Sequence, residues 1–89
     1  MEIQIFGKQT CARCRSTKRK LDHLLGEWQM KDNVPVTYFD METPDGMAEG
    51  AFRDVLHVPT VIVQNESKEI ARWSGIVPPE EEIRKAVSP

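Results

Sequence analysis

Cys14, Thr17, Leu21, Leu24, Leu25 and Trp28 recur at steps of three and four, the core-facing stripe of an amphipathic helix. The spacing predicts a helix from about Ala12 to Met30, with Trp28 in the core. Short runs of strand type lie on either side. Glu2–Gly7 (EIQIFG) alternates around Ile3 and Ile5, with Phe6 breaking the pattern as in a mostly buried strand. Val36–Met41 (VTYFDM) is rich in β-branched and aromatic residues. Asp32, Asn33 and Pro35 supply the turn before it, because Asn and Asp favour turns and the residue before proline avoids the helical region. A strand, a helix and a strand in this order form a right-handed crossover with the two strands parallel.

Downstream, Thr43, Pro44 and Asp45 open a second helix, with Pro44 at the first helical position, where its missing N–H is not needed. That helix runs through Ala48, Ala51, Phe52, Val55 and Leu56 and is expected to be short, since Gly46 and Gly50 weaken it. Val58–Gln64 and Ile70–Trp73 read as third and fourth strands. The five polar residues between them, Asn65–Glu69, are of hairpin length and predict antiparallel neighbours. Ser74 and Gly75 end the hairpin. After Pro78 and Pro79, a last helix spans Glu80–Ala86, with acids at its positive end and Arg84 and Lys85 at its negative end. The expected class is α/β, in the order β-α-β-α-β-β-α: one mixed four-stranded sheet with helices on both faces, as a single domain over residues 1–89.

A chain of 89 residues supports one hydrophobic core. Its 39% hydrophobic and 29% charged residues fit a globular domain and exclude disorder or a membrane span. The N-terminus, MEIQIFGKQT, has an early acid and no long apolar stretch, so no secretory signal is expected and the location should be cytoplasmic. Arg13, Arg15, Lys18, Arg19 and Lys20 form a basic block, yet the formal net charge is −2 and no aromatic residues interleave the block. It reads as a solvated helix face, and neither nucleic acid nor membrane is expected as a partner.

Cys11 and Cys14 are the only cysteines, three positions apart where the first strand gives way to the first helix. A thiolate at a helix N-terminus is stabilised by unpaired backbone N–H groups and by the helix dipole. With Cys11 at the non-helical cap and Cys14 in the first turn, the two sulfurs can form and break a disulfide with little backbone movement. Cys11 is then the exposed nucleophile and Cys14 the resolving thiol. Arg13 and Lys8 add positive charge and should lower the Cys11 pKa, giving a thiolate below neutral pH. Spacing alone leaves inert thiols open. It also leaves open a zinc site, for which His23 and His57 lie at no matching spacing, and an iron–sulfur cluster bridging two chains through Cys11 of each. No metal site within one chain is expected.

Taken with Val58-Pro59-Thr60 at the start of the third strand, the pair makes the chain resemble the thioredoxin/glutaredoxin superfamily over nearly its whole length. The resemblance implies the thioredoxin fold, a thiol-disulfide oxidoreductase activity, and a cis Pro59 beside the pair. The Val58 N–H and C=O would be the substrate-binding edge. Thioredoxins carry Trp-Cys-Gly-Pro-Cys and a buried Asp six residues before the first cysteine; here Thr10 precedes Cys11, Ala12 and Arg13 lie between the cysteines, and Ile5 holds the acid's place. Lys8 and Val58 fit glutaredoxins, but Gly75 lacks the second glycine and the following acids that grip glutathione. The segment Trp73-Ser74-Gly75-Ile76-Val77-Pro78 is most similar to the Trp-Ser-Gly-Phe-Arg-Pro signature of NrdH-type redoxins, electron donors to ribonucleotide reductase, and Lys8-Gln9-Thr10-Cys11 is similar to their Lys-Pro-Ala-Cys entry. The resemblance thus implies Cys11 and Cys14 as catalytic residues and Lys8, Thr10, Arg13, Val58, Pro59, Ser74 and Gly75 as substrate-binding residues. It further implies a monomer with no metal or organic cofactor, acting on a disulfide-containing protein. Its reductant would be a flavoprotein reductase or a thiol, with glutathione as a possible co-substrate.

Overall fold

Two apolar strands, β1 (Glu2–Gly7) and β3 (Thr60–Asn65), form the centre of the sheet because both of their faces are covered. The computed structural model of the chain describes residues 1–88. The remaining elements are α1 (Ala12–Glu27), β2 (Val36–Asp40), α2 (Pro44–Phe52), β4 (Lys68–Ser74) and α3 (Glu80–Val87). The strands lie in the order β2-β1-β3-β4. β1 and β2 are parallel, while β1–β3 and β3–β4 are antiparallel. The mixed sheet and the element order expected from sequence are both present.

Side chains alternate across the sheet, so Ile3, Ile5, Val61 and Val63 point to one face. There they pack with Leu21, Leu24 and Leu25 of α1 and Ile83 and Val87 of α3. Phe6 and Ile62 point to the other face and pack with Val55, Phe39 and Met41 beneath α2. The Phe6 and Phe39 rings stack there, with centroids 4.8 Å apart. Trp73 is buried on the α3 side, and its indole N–H donates to Glu82 Oε1 at 2.7 Å, fastening β4 to α3.

Helix ends depart from the sequence expectation for one reason. α1 stops at Glu27, short of Met30, because Gln29 takes a left-handed conformation (φ 56°). The Gln29 and Met30 amides then donate back to the Gly26 and Leu25 carbonyls, a Schellman closure. α2 ends the same way at Asp54 (φ 56°), with Val55 N–H donating to the Gly50 carbonyl, so the helix stops at Phe52 and Leu56 stands exposed beyond it. Glycine is the usual residue there; Gln29 and Asp54 carry no such mark. Trp28, expected in the core, is instead half-buried at its edge, with the Arg84 guanidinium 5.2 Å from its ring centroid.

The hairpin is also tighter than expected. Only Glu66 and Ser67 connect the strands, both with positive φ (52° and 68°), the type I′ pattern whose twist suits adjoining strands. β4 therefore starts at Lys68 rather than Ile70. β3 starts at Thr60 rather than Val58. β2 ends one residue before Met41, and α3 continues one residue past Ala86.

α2 meets the sheet through its glycines. Ala48, Ala51 and Phe52 are exposed, and it is Gly46 and Gly50 that face the sheet. A Cβ on Gly46 would lie 1.8 Å from the Asp40 carbonyl oxygen, and one on Gly50 would lie 2.5 Å from Met41 Cε. Gly46 lets the helix approach β2 where any side chain would hold it off, whereas at Gly50 the neighbour is the flexible end of the Met41 side chain, which can move. Gly46→Ala should lower stability by at least about 2 kcal/mol in urea unfolding, since the clash is with backbone and cannot be relieved by a rotamer. An alanine variant as stable as the parent would contradict this packing.

Candidate active site

The loop between β1 and α1 is pinned so that it delivers Cys11 to the helix start. The Cys11 amide donates to the Lys8 carbonyl at 3.1 Å, and the Gln9 amide donates to Glu42 Oε1 at 3.2 Å. Arg15 Nη1 donates to the Gln9 carbonyl. Cys11 is the N-cap of α1, extended at φ −93° and ψ 114°, and its sulfur accepts the Cys14 amide at 3.2 Å. Cys11 thus holds the cap position that its spacing predicted. Cys11 is partly exposed and Cys14 is fully buried beneath it.

This burial difference separates the two thiols electrostatically. The Cys11 pKa is lowered, chiefly by the hydrogen bond from the Cys14 side chain, then by the Cys14 and Arg13 amides and the Arg13 charge; partial burial opposes the shift. Cys14 is pushed up to about 11 by burial first and by its hydrogen bond to Cys11 second. Lys8, expected to act on Cys11, instead acts on Cys14, where its amide and its charge oppose the rise. The arrangement gives a more acidic thiol on the solvent side, backed by a buried thiol that holds its proton more tightly.

Around the pair, the Val58–Pro59 peptide bond is cis. The Pro59 carbonyl accepts the Gly75 amide at 2.7 Å, and Thr60 Oγ1 donates to the His57 carbonyl at 2.6 Å. Arg13 Nη1 reaches across to donate to the Gly75 carbonyl at 3.2 Å. Gly75 has φ 75°, a conformation few other residues accept, and so the turn after β4 can present both its amide and its carbonyl to this site. The structure therefore links Cys11, Arg13, Pro59 and Gly75 at one end of the sheet. Val58 is half-buried beside Pro59. Lys8 and Thr10 are exposed in the pinned loop, and Ser74 is exposed at the end of β4, opposite Thr60.

Residues 1–88 match the sequence pattern of the thioredoxin domain family. The chain belongs to that family. Solved thioredoxin structures are similar to it throughout. Thioredoxin 1 of Thermosipho africanus shares 23% identity with a TM-score of 0.71, covering 98% of this chain and 90% of that one. Fasciola hepatica thioredoxin shares 24% identity with a TM-score of 0.75, covering 97% and 76%. A thioredoxin-2 of the malaria parasite, described as a component of its protein secretion machinery, shares 14% identity with a TM-score of 0.79, covering 97% and 79%. No match was found among curated proteins by sequence comparison. Within this thioredoxin-family domain, no group of three or more His, Cys, Asp or Glu side chains is arranged to hold a metal ion among the described residues. No helix among them is long and apolar enough to cross a membrane.

Two neighbours of the thioredoxin-family pair are not singled out by motif or spacing. A Cβ on Gly7 would lie 2.9 Å from Cys14 Cβ, 3.0 Å from Cys14 Sγ and 2.6 Å from the Tyr38 hydroxyl oxygen. Gly7 is thus bare because Cys14 and Tyr38 press on it. The one available signal is that Gly7 is the last strand residue before the cysteine loop.

Iodoacetamide alkylation of the reduced protein should show Cys11 reacting fully below the ordinary thiol range, with Cys14 silent until strongly alkaline pH. Cys14→Ala removes the main cause of the shift and should move the Cys11 midpoint upward. An unmoved midpoint would contradict the assignment of that cause.

Proposed function

We propose that the chain is a small thiol-disulfide oxidoreductase that reduces protein disulfides through Cys11 and Cys14. The observation that carries this reading is the Cys11 sulfur at the α1 cap, bonded to the Cys14 amide, with a buried protonated thiol directly behind it. The Cys11 thiolate attacks one sulfur of a substrate disulfide; a new S–S bond forms and the other substrate sulfur leaves. Cys14 then loses its proton and attacks the Cys11 sulfur. The Cys11–Cys14 disulfide forms, and the second substrate sulfur departs as a thiol. Two electrons have passed to the substrate.

The substrate strand would lie along Val58, whose amide and carbonyl enter no backbone hydrogen bond among the described residues. Arg13, tied to the Gly75 carbonyl, holds a positive charge at the rim where the mixed disulfide forms. Lys8, Thr10 and Ser74 border the same end of the sheet and would contact the flanks of a protein substrate.

The reductant is read as a flavoprotein reductase, in the manner of NrdH-type redoxins, rather than glutathione. Gly75 is followed by Ile76 and Val77 rather than by acids, leaving no carboxylate at that turn to hold the amino group of a glutathione molecule. Turnover assayed separately with thioredoxin reductase plus NADPH and with glutathione should proceed with the first alone. Activity with glutathione alone would reverse the assignment.

Cys11→Ser should abolish disulfide reduction, and Cys14→Ser should accumulate mixed disulfides detectable by mass spectrometry. Reduction at the parent rate by Cys11→Ser would disprove the function.

A further inference from the structure

The buried Cys14 sulfur has to shed a proton before it can attack, and burial leaves it no direct contact with water. The group that receives this proton is not supplied by β1: Ile5, two residues before Gly7 on the same strand face, is fully buried and aliphatic. Tyr38 is paired in register with Ile5 on the neighbouring strand β2. Its ring packs against the α1-side core, and a Cβ on Gly7 would meet both its hydroxyl oxygen at 2.6 Å and Cys14 Sγ at 3.0 Å, so the two groups border the same bare spot. On its outer side Tyr38 lines a cavity of about 380 Å³ together with Gln9, Arg15, Lys18 and Asp40. Such a polar space is large enough for several waters at about 30 Å³ each. Tyr38 therefore stands between the buried sulfur and a water-accessible cavity.

We propose that Tyr38 is the proton-transfer residue of the resolving thiol, taking the Cys14 proton on its hydroxyl while passing its own proton to water in this cavity. The proposal rests on the redox role of the pair given above. The exchange leaves the phenol neutral. The proton given up by Cys14 is matched by the one that the departing substrate sulfur takes from water, and the electron pair of Cys14 forms the new S–S bond. The charges facing Tyr38 suit this role. Burial, both cysteines, Asp40 and Glu42 raise the phenol's pKa and keep it protonated at neutral pH, so it is always able to donate. Lys18, with its ammonium 5.3 Å from the ring centroid, and Arg15 across the cavity are the facing cations. Gly7 leaves the space between the two groups free of a side chain.

Ellman's reagent separates the steps. Reduced protein should release one thionitrobenzoate as Cys11 attacks and a second as Cys14 resolves the mixed disulfide. Tyr38→Phe keeps the ring and should slow the second release at least about tenfold at neutral pH, with the first release unchanged. The deficit should close at strongly alkaline pH, where Cys14 is already ionised before it attacks. A purely structural role for the phenol would not produce that pH dependence. The chain has a single tyrosine, so biosynthetic 3-fluorotyrosine labels Tyr38 alone with a more acidic phenol of similar size. It should change the rate of the second release, and it serves if the phenylalanine variant does not fold. An unchanged second release in the variant that folds, or in the fluorotyrosine protein, would overturn the relay. Release of only one thionitrobenzoate by the parent protein would instead overturn the redox reading beneath it.

Discussion

The Cys11 sulfur occupies the place that a serine or aspartate oxygen takes at an ordinary helix N-terminus. A cap of this kind contributes on the order of 1 kcal/mol when oxygen supplies it. Here the same bond sets the chemistry, because the donor is the amide of the second cysteine. One contact thus fixes where α1 begins, holds Cys11 at the surface and places Cys14 one turn inward on the buried stripe. The unequal acidity of the thiols follows from that placement. Burial outweighs every favourable interaction at Cys14, whereas at Cys11 the hydrogen bonds outweigh its slight desolvation.

Glycines allow the fold to bring its layers close enough for this geometry. Gly7 removes the side chain that would separate Cys14 from Tyr38, and Gly46 removes the one that would lift α2 off Asp40. The two lie on opposite sides of the same strand pair, β1 and β2. Glu42, at the end of that layer, returns to hold the Gln9 amide in the cysteine loop. Loop, strand and helix are therefore positioned together, with Gly75 and Pro59 closing the site from the β3–β4 side.

Much of this was legible in the order of residues. The three-and-four spacing from Cys14 to Leu25 marks the buried face of α1, and the strand-like runs mark β1 and β2 in their correct order. The cap role of Cys11 follows from the strand ending at Gly7 and the helical period starting at Cys14. What could not be read depended on backbone conformation or close approach. Gln29 and Asp54 end helices in a conformation usually marked by glycine, and Glu66 and Ser67 make a two-residue turn without the usual Asn-Gly signal. Gly46 and Gly50 look like helix weakeners until β2 is set against them. Tyr38 looks like one more strand aromatic until the crossover brings it beside Cys14.

Equilibration of the protein in dithiothreitol redox buffers, followed by alkylation and mass spectrometry, tests the central claim most directly. Cys11 and Cys14 are predicted to be lost from the thiol pool together, in one reversible two-electron transition that yields an intramolecular Cys11–Cys14 disulfide. Thiols that oxidise independently, or that form disulfides only between chains, would contradict the account.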